Sequence, residues 1–350
     1  MTANLKSVAE LAGVSTGLVS RVLNQDPNVS LRESTRRRIV AAAKELNYVP
    51  QASARALRRN RSGVLGLALH DLSSTVSVGL LEGARSAAAD QGYLLLLADA
   101  DELATNAPTR SLYLAGGRVD GLMIQGGRRD LDERIAEIAR GLPTVIVKAP
   151  GQNGIPGVRL AEEDAGALAA SYLLQLGHRS IGYLGGVRTS FTDEARRDGV
   201  VQTLNDAGLV LRTVELESKG GTAHSGGLEL KAIMTEHREV TAFVAANVVV
   251  AMGALRVAAD LGISVPRDLS IISVQETWTA DFMIPRLSAV ALPMRRLGEV
   301  AVAQLLCLIN EDSAPADVRI TEPAPALICR ESTGAPPQNS VSSSSAAFGA

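Results

Sequence analysis

Basic side chains that can hold a polyanion crowd into one end of this sequence. Residues 1–62 carry eleven Lys and Arg (Lys6, Arg21, Arg32, Arg36, Arg37, Arg38, Lys44, Arg55, Arg58, Arg59, Arg61) and four acids (Glu10, Asp26, Glu33, Glu45). The remainder carries 24 bases and 33 acids, so the formal net charge of -2 conceals a basic head on an acidic body. That asymmetry points to a polyanionic partner for the head alone. An Arg has the planar fork that can take a guanine edge in two hydrogen bonds. Reactive constellations are scarce by comparison. Gly221-Thr222-Ala223-His224-Ser225-Gly226 has phosphate-loop glycine spacing but lacks the following Lys-Ser/Thr. His70, His178, His224 and His237 make no metal-ligand spacing, and His178 suits a role in satisfying backbone groups at a helix-to-strand turn. No Gly-x-Ser-x-Gly elbow occurs. Cys307 and Cys329 are the only cysteines, too few for a disulfide framework or a Cys-rich zinc module. No catalytic residue, metal or cofactor is expected.

The elements that must position the basic residues are short helices. Ser7-Val8-Ala9-Glu10 reads as a capping box, followed by the apolar Val8, Ala9, Leu11 and Ala12. Gly13 tolerates the backbone conformation that breaks the helix. Ser15 can cap a second helix, roughly Thr16 to Leu23, with Val19, Val22 and Leu23 facing the first. Helix, short glycine turn and helix form a helix-turn-helix pattern. A third helix is expected over about Ser34 to Leu46, with Ile39, Ala42, Ala43 and Leu46 inward. Pro50 disfavours helix at the residue before it. Gln51 to Asn60 is Ala- and Arg-rich, and too short to be a stable helix alone.

From Gly63 the pattern changes. Apolar runs at Val64–Leu69, Tyr93–Ala98, Gly121–Ile124, Thr144–Val147, Ile181–Leu184, Ala242–Ala245 and Leu269–Val274 read as strands. Amphipathic stretches at Leu80–Asp90, Asp130–Arg140, Asp164–Leu176, Glu194–Ala207 and Val248–Leu261 alternate with them. That alternation predicts parallel sheets covered on both faces, and the length favours two similar lobes. Aromatics are 3% of the chain, so the cores must be aliphatic. No apolar run approaches the roughly 20 residues of a membrane span, and the start shows no signal-peptide pattern; a cytoplasmic location is expected.

The run Leu5 to Asn24, with Leu46-Asn47-Tyr48-Val49-Pro50 and Ala54-Arg55-Ala56-Leu57-Arg58, closely resembles the DNA-binding head of the LacI/GalR family of bacterial transcriptional regulators. Looser matches are Leu176-Gly177-His178-Arg179-Ser180-Ile181, Gly262 to Ser270, Pro285 to Val290 and Arg330-Glu331-Ser332-Thr333. The resemblance implies an all-α helix-turn-helix head with a hinge helix. An α/β two-lobed periplasmic-binding-protein-like body with parallel sheets follows. It divides the chain into a DNA-binding domain at 1–49, a hinge at 50–62, a first lobe at 63–161 plus 288–320, a second lobe at 162–287 plus 321–334, and a disordered tail at 335–350. A homodimer on a near-palindromic operator, most often repressing, is implied. The tail after Thr333 has none of the Leu heptads that make tetramers in this family.

In such heads the N-terminal residues of the second helix meet base edges, here Thr16, Gly17 and Arg21. Ser7, Ser15 and Ser20 would hold phosphate and Arg55 would neutralise it, with Asn24, Tyr48 and Ala54 as further DNA-binding residues; for Ser7 and Ser15 a simple cap is an equal alternative. Leu57 matches the wedge residue that enters the minor groove and kinks the duplex. Two departures stand out: Leu18 replaces the usual Thr, and the link from Val29 to Arg36 is about two residues longer than usual, judged against the family pattern.

For the cleft between lobes, the resemblance points to Ser74, Val76, Glu162, Arg196, Asn247 and Gln275 as effector contacts; Trp278 offers a stacking surface, with partly buried packing as an equal alternative. Here the family's aromatic pair is Val76 and Ser77, its usual Asp-Asn is Glu162-Glu163, and one of its paired acids is Gln275. An amide at 275 removes a negative charge, which favours a phosphorylated or carboxylated metabolite at Arg196 over a neutral sugar. Arg196 in a surface ion pair with Asp193 or Glu194 is the plain alternative. A stand-alone solute-binding protein or α/β enzyme is the rival class, and a regulator that has lost its small-molecule response a third reading.

Overall fold

A computed structural model describes residues 4–24, 29–48, 61–72, 74–126, 134, 137–138, 141–185, 190–213, 220–311 and 316–337. The expected hinge residues Ala54, Arg55 and Leu57 lie outside them, as does most of the 130–140 stretch.

The head contains α1 (Leu5–Ala12), α2 (Thr16–Leu23) and α3 (Glu33–Glu45). Its first cap differs from the expected capping box. Asn4 is the N-cap, its Oδ1 accepting from the Ser7 amide (3.0 Å), and Ser7 lies inside the first turn. Asn accepts an orphan amide as well as Ser does, so the helix begins one turn earlier. Glu10 meets Lys6 at 3.9 Å on the exposed face instead of reaching back to a cap. Gly13 takes the left-handed conformation (φ 62°) that ends α1. Helix α3 begins at Glu33, one residue before the expected Ser34, and its N-cap Arg32 supplies no side-chain cap. Val8, Ala12, Val19, Val22, Ile39 and Ala42 form the head's core.

The body continues with β1 (Val64–Leu69), α4 (Val78–Asp90), β2 (Leu94–Asp99), α5 (Ala100–Thr105), α6 (Ala107–Leu114), β3 (Gly121–Gln125), β4 (Thr144–Val147) and β5 (Gly157–Leu160). Then come α7 (Glu162–Gln175), β6 (Ile181–Leu184), α8 (Phe191–Asp206), α9 (Ala223–Glu236), β7 (Ala242–Ala245), α10 (Val248–Asp260), β8 (Ser270–Val274) and β9 (Ser288–Ala291). The last elements are α11 (Met294–Asn310), β10 (Val318–Ile320) and β11 (Ala326–Ile328). The first lobe holds a six-stranded sheet, β10-β5-β4-β3-β1-β2, and the second a five-stranded sheet, β11-β9-β8-β7-β6. Strands β6 to β9 pair in parallel, and β11 closes the edge antiparallel to β9.

One expected boundary moves. Ser288–Ala291 was assigned to the first lobe, but β9 pairs with β8 through Ile272↔Ser288 and so belongs to the second. The chain returns to the first lobe only at α11, whose Leu297, Ala301 and Leu305 join the core of Leu65, Leu67 and Val145. The described chain runs on to Pro337, three residues into the segment expected to be disordered.

His178 ties the end of the chain to the second lobe. It is fully buried, with Nδ1 at 2.8 Å from Thr241 Oγ1 and Nε2 at 2.9 Å from the Gly334 carbonyl. Ser332 adds a second tie, its Oγ donating to Ile271 O (2.6 Å) and accepting from the Ser288 amide (2.8 Å).

Helices α7 and α8 approach so closely that a Cβ on Gly166 would overlap the Arg196 carbonyl, and one on Gly199 the Glu163 carbonyl. This close approach sets Arg196 on α8 beside Glu162 at the start of α7.

Candidate functional site

On α2, Val19 and Val22 turn into the head core, leaving Thr16, Gly17 and Arg21 exposed. Their spacing of one, four and five residues places them on one stripe of the helix. Ser15 caps the helix, its Oγ accepting from the Leu18 amide (3.3 Å). Leu18 is half-buried against the core, so the apolar replacement extends the core where a hydroxyl would meet phosphate. Ser20 and Asn24 engage each other: Asn24 Nδ2 donates to Ser20 O (2.7 Å) and Ser20 Oγ (3.3 Å). Ser7 is half-buried with its hydroxyl on Asn4 Oδ1 (3.2 Å), and Tyr48 packs against the core.

The second site is a cavity between the two sheets' lobes, about 130 Å³ in volume. The first lobe contributes His70, Val76, Gln125, Gly126 and Lys148, and the second Ser190, Thr192, Asp193, Arg196, Asn247 and Gln275. His70, Gln125 and Lys148 stand at the C-terminal ends of β1, β3 and β4; Asn247 and Gln275 stand at those of β7 and β8. Ligands of open α/β sheets bind outside these strand ends.

Arg196 is the hub of this site. It is 2% exposed, and its Nε donates to Glu162 Oε2 at 2.7 Å. Nη1 donates to the Ala246 carbonyl and Nη2 to Gln275 Oε1 (3.2 Å). The surface pair with Asp193 or Glu194 is therefore not the arrangement; the partner is Glu162, itself buried. Burial acts to lower the guanidinium pKa, but Glu162, Asp193 and Tyr183 outweigh it and raise the net value. Gln275 completes the bridge, its Nε2 donating to the Val76 carbonyl of the other lobe. Thr192 Oγ1 makes a second cross-lobe bond to the Lys148 carbonyl (3.3 Å). Gln275 and Lys148 both adopt left-handed backbone (φ 72° and 67°), a conformation that side chains with a Cβ rarely take and that clusters at functional sites.

The other acids near the cleft are engaged. Glu163 lies 3.5 Å from Arg319, and Glu276 lies 2.8 Å from Arg330. Asp193 is an exception: burial pushes its carboxyl up to about 6. Burial also lowers the pKa of Lys148, with Arg196 adding to the effect.

Of the expected effector residues, Val76, Arg196, Asn247 and Gln275 line the cavity, and Glu162 lies behind Arg196. Ser74 is the N-cap of the single turn Thr75–Ser77 and is not in the lining. Trp278 is 62% exposed, stacks edge-to-face on Phe282 at 5.9 Å, and is also outside the lining. The sequence reading missed His70, Gln125, Lys148, Ser190, Thr192 and Asp193. The first three were available from the rule just used, since each lies at the end of a predicted strand.

On α9, Glu229 is 4% exposed, with Oε2 accepting from the Gly185 amide (2.7 Å) and Oε1 without a partner among the described residues. Burial pushes its pKa up to about 7, opposed by that hydrogen bond. The folded state therefore takes up a proton that the unfolded chain, with an ordinary Glu, does not. Stability should rise as pH falls from 8 to 6.5, by on the order of 1 kcal/mol. The effect of His178, whose pKa burial lowers from its ordinary 6.5, runs the other way and sets in as pH approaches 6.5, so it offsets part of the climb. Thermal melts at pH 8, 7.25 and 6.5 check this: the midpoint should climb, and Glu229→Gln should flatten the climb. A midpoint that falls over that range contradicts the assignment.

A helix-turn-helix head joined to a two-lobed α/β body with an interlobe cavity defines a DNA-binding transcriptional regulator with an effector-binding body. Residues 4–51 match the model of the lacI family of bacterial regulatory proteins, and residues 170–333 that of a periplasmic binding protein-like domain. The chain is 31% identical over 335 residues to the HTH-type transcriptional repressor PurR of Yersinia enterocolitica, covering 94% of this chain and 96% of that one. It belongs to the lacI family of bacterial regulatory proteins. Among solved structures, the lac repressor dimer bound to operator and the anti-inducer ONPF is similar at a TM-score of 0.81, with 26% identity over 96% of this chain and 100% of that one. A LacI family transcriptional regulator from Mycobacterium smegmatis gives a TM-score of 0.70 and 30% identity, covering 78% of this chain and 99% of that one.

Proposed function

We propose that this chain is a transcriptional repressor that binds a near-palindromic operator as a homodimer and answers to a small metabolite held between its lobes. The exposed stripe of Thr16, Gly17 and Arg21 on a helix whose other face is buried carries the DNA reading. Residues 1–49 form the reading head and 50–62 the hinge, with Arg55 on phosphate and Leu57 as the wedge. Dimerisation is supported by the exposed apolar run of Trp278, Phe282 and Ile284, with Ile284 96% exposed; such surface on a monomer marks an interaction site. The operator complex and the anti-inducer of the similar lac repressor dimer support both partners. No catalytic role is assigned to the chain, and its place is the cytoplasm, at the nucleoid when bound. Among the described residues no helix is long and apolar enough to cross a membrane.

Selection from a random duplex pool with the full chain tests this. Enrichment of inverted half-sites about one helical turn apart, or a multiple of it, is expected. Binding should weaken steeply with salt as counterions are released. Recovery of a single unrepeated half-site by a monomeric protein would overturn the dimeric-operator reading.

A further inference from the structure

We propose that the ligand of the interlobe cavity is a compact zwitterion, a small α-amino acid whose carboxylate meets Lys148 and Asn247 and whose ammonium meets Asp193. This rests on the reading of the cleft as the effector site.

Size is the first constraint. Pockets for drug-sized ligands run to roughly 300–1,000 Å³, and this one is about 130 Å³. That favours a compact ligand over one of drug size.

Charge is the second. Arg196, the natural seat for an anion, is committed to Glu162, Ala246 and Gln275. Lys148 is 8% exposed, and among the described residues its ammonium has no hydrogen-bond or ion-pair partner. Asp193 likewise has none for its carboxylate. One positive and one negative group, on opposite lobes, therefore line the cavity with no hydrogen-bonded counter-charge, each attracted to the other at longer range. The charges of Lys148, Arg196, Glu162 and Asp193 cancel, so a ligand with net charge would bring an uncompensated charge into a buried site. An anion would satisfy Lys148 but oppose Asp193, and a cation the reverse. A neutral polyol would leave the two with only that longer-range attraction and no hydrogen-bonded counter-charge. This replaces the anionic metabolite that the amide at Gln275 had favoured.

Hydrogen bonding is the third. Asn247 Oδ1 already accepts from the Val249 and Val250 amides (2.9 and 3.0 Å). That leaves its NH₂ group as the polar atom available to a ligand, a donor suited to carboxylate.

Calorimetry on the full chain at pH 7.5 tests the assignment with glycine, L-alanine and L-serine, against L-lactate, L-alaninamide, glycerol, D-glucose and adenine. At least one zwitterion should bind tenfold or more tightly than lactate and alaninamide. Asp193→Asn should erase the preference for alanine over lactate, and Lys148→Met the preference for alanine over alaninamide. Equal binding of lactate or glycerol overturns the proposal, as does binding of glucose or adenine without any zwitterion; in those cases the effector reading of the cleft stands. If none of these compounds binds, the proposal falls; the effector reading of this cavity falls with it only if a broad metabolite panel also leaves operator affinity unchanged.

Discussion

Replacing Arg196 by Met should cost the second lobe about 3–5 kcal/mol, because Glu162 is then left buried and unpaired. The exposures decide the size of the effect: the two side chains are 2% and 1% accessible, so water cannot replace the lost partner. The Ala246 carbonyl and Gln275 Oε1 lose donors at the same time. Neutralising both members, as Arg196→Met with Glu162→Gln, removes the orphan charge and should recover part of the loss. Chemical denaturation of the wild type, the single and the double variants measures this. A single variant within 1 kcal/mol of wild type would mean that the pair is not a buried ion pair in solution. The cross-lobe bond from Gln275 to Val76 should loosen too, since Arg196 holds the other end of that amide.

Arg21→Ala should weaken operator binding by about 1–3 kcal/mol, roughly 5- to 150-fold, and relax the preference at one base position in each half-site. The effect is confined to DNA affinity because Arg21 is exposed on α2 while Val19 and Val22 carry the packing. Binding to the selected operator and to random duplex, measured by anisotropy at one salt concentration, separates base reading from phosphate attraction. An equal loss on the two DNAs would sink the base-reading role. Leu18→Thr offers a gain-side comparison. It restores a hydroxyl but removes an apolar side chain from the head core, so any gain in phosphate contact is offset by poorer packing.

What could be read early was local. Gly13 ending α1, Ser15 capping α2, the inward Val19 and Val22, and the strand runs at 64–69, 121–124 and 144–147 depend on a few neighbouring residues. Hydrogen-bonded caps and periodic burial operate over one or two turns, so the sequence itself displays them. The misplaced cap at Ser7 shows the margin of that reading. Asn4 and Ser7 are both competent caps three residues apart, and the chain uses the earlier one.

The sequence by itself determined a basic helix-turn-helix head, an aliphatic body of alternating strands and helices, and the importance of Arg196. Only the tertiary structure decided what Arg196 does. Glu162 lies 34 residues away, Ala246 50 and Gln275 79, and no local pattern encodes those meetings. They follow from the parallel order of β6 to β9 and from the glycine contact that brings α7 and α8 together. The adjacency of β4, β3 and β1 in the first-lobe sheet collects Lys148, Gln125 and His70 at the strand ends, while Trp278 stays outside the cavity lining. Pairing with β8 assigned β9 to the second lobe, because strand pairing is a long-range hydrogen-bonding choice that a short apolar run such as Ser288–Ala291 does not specify alone.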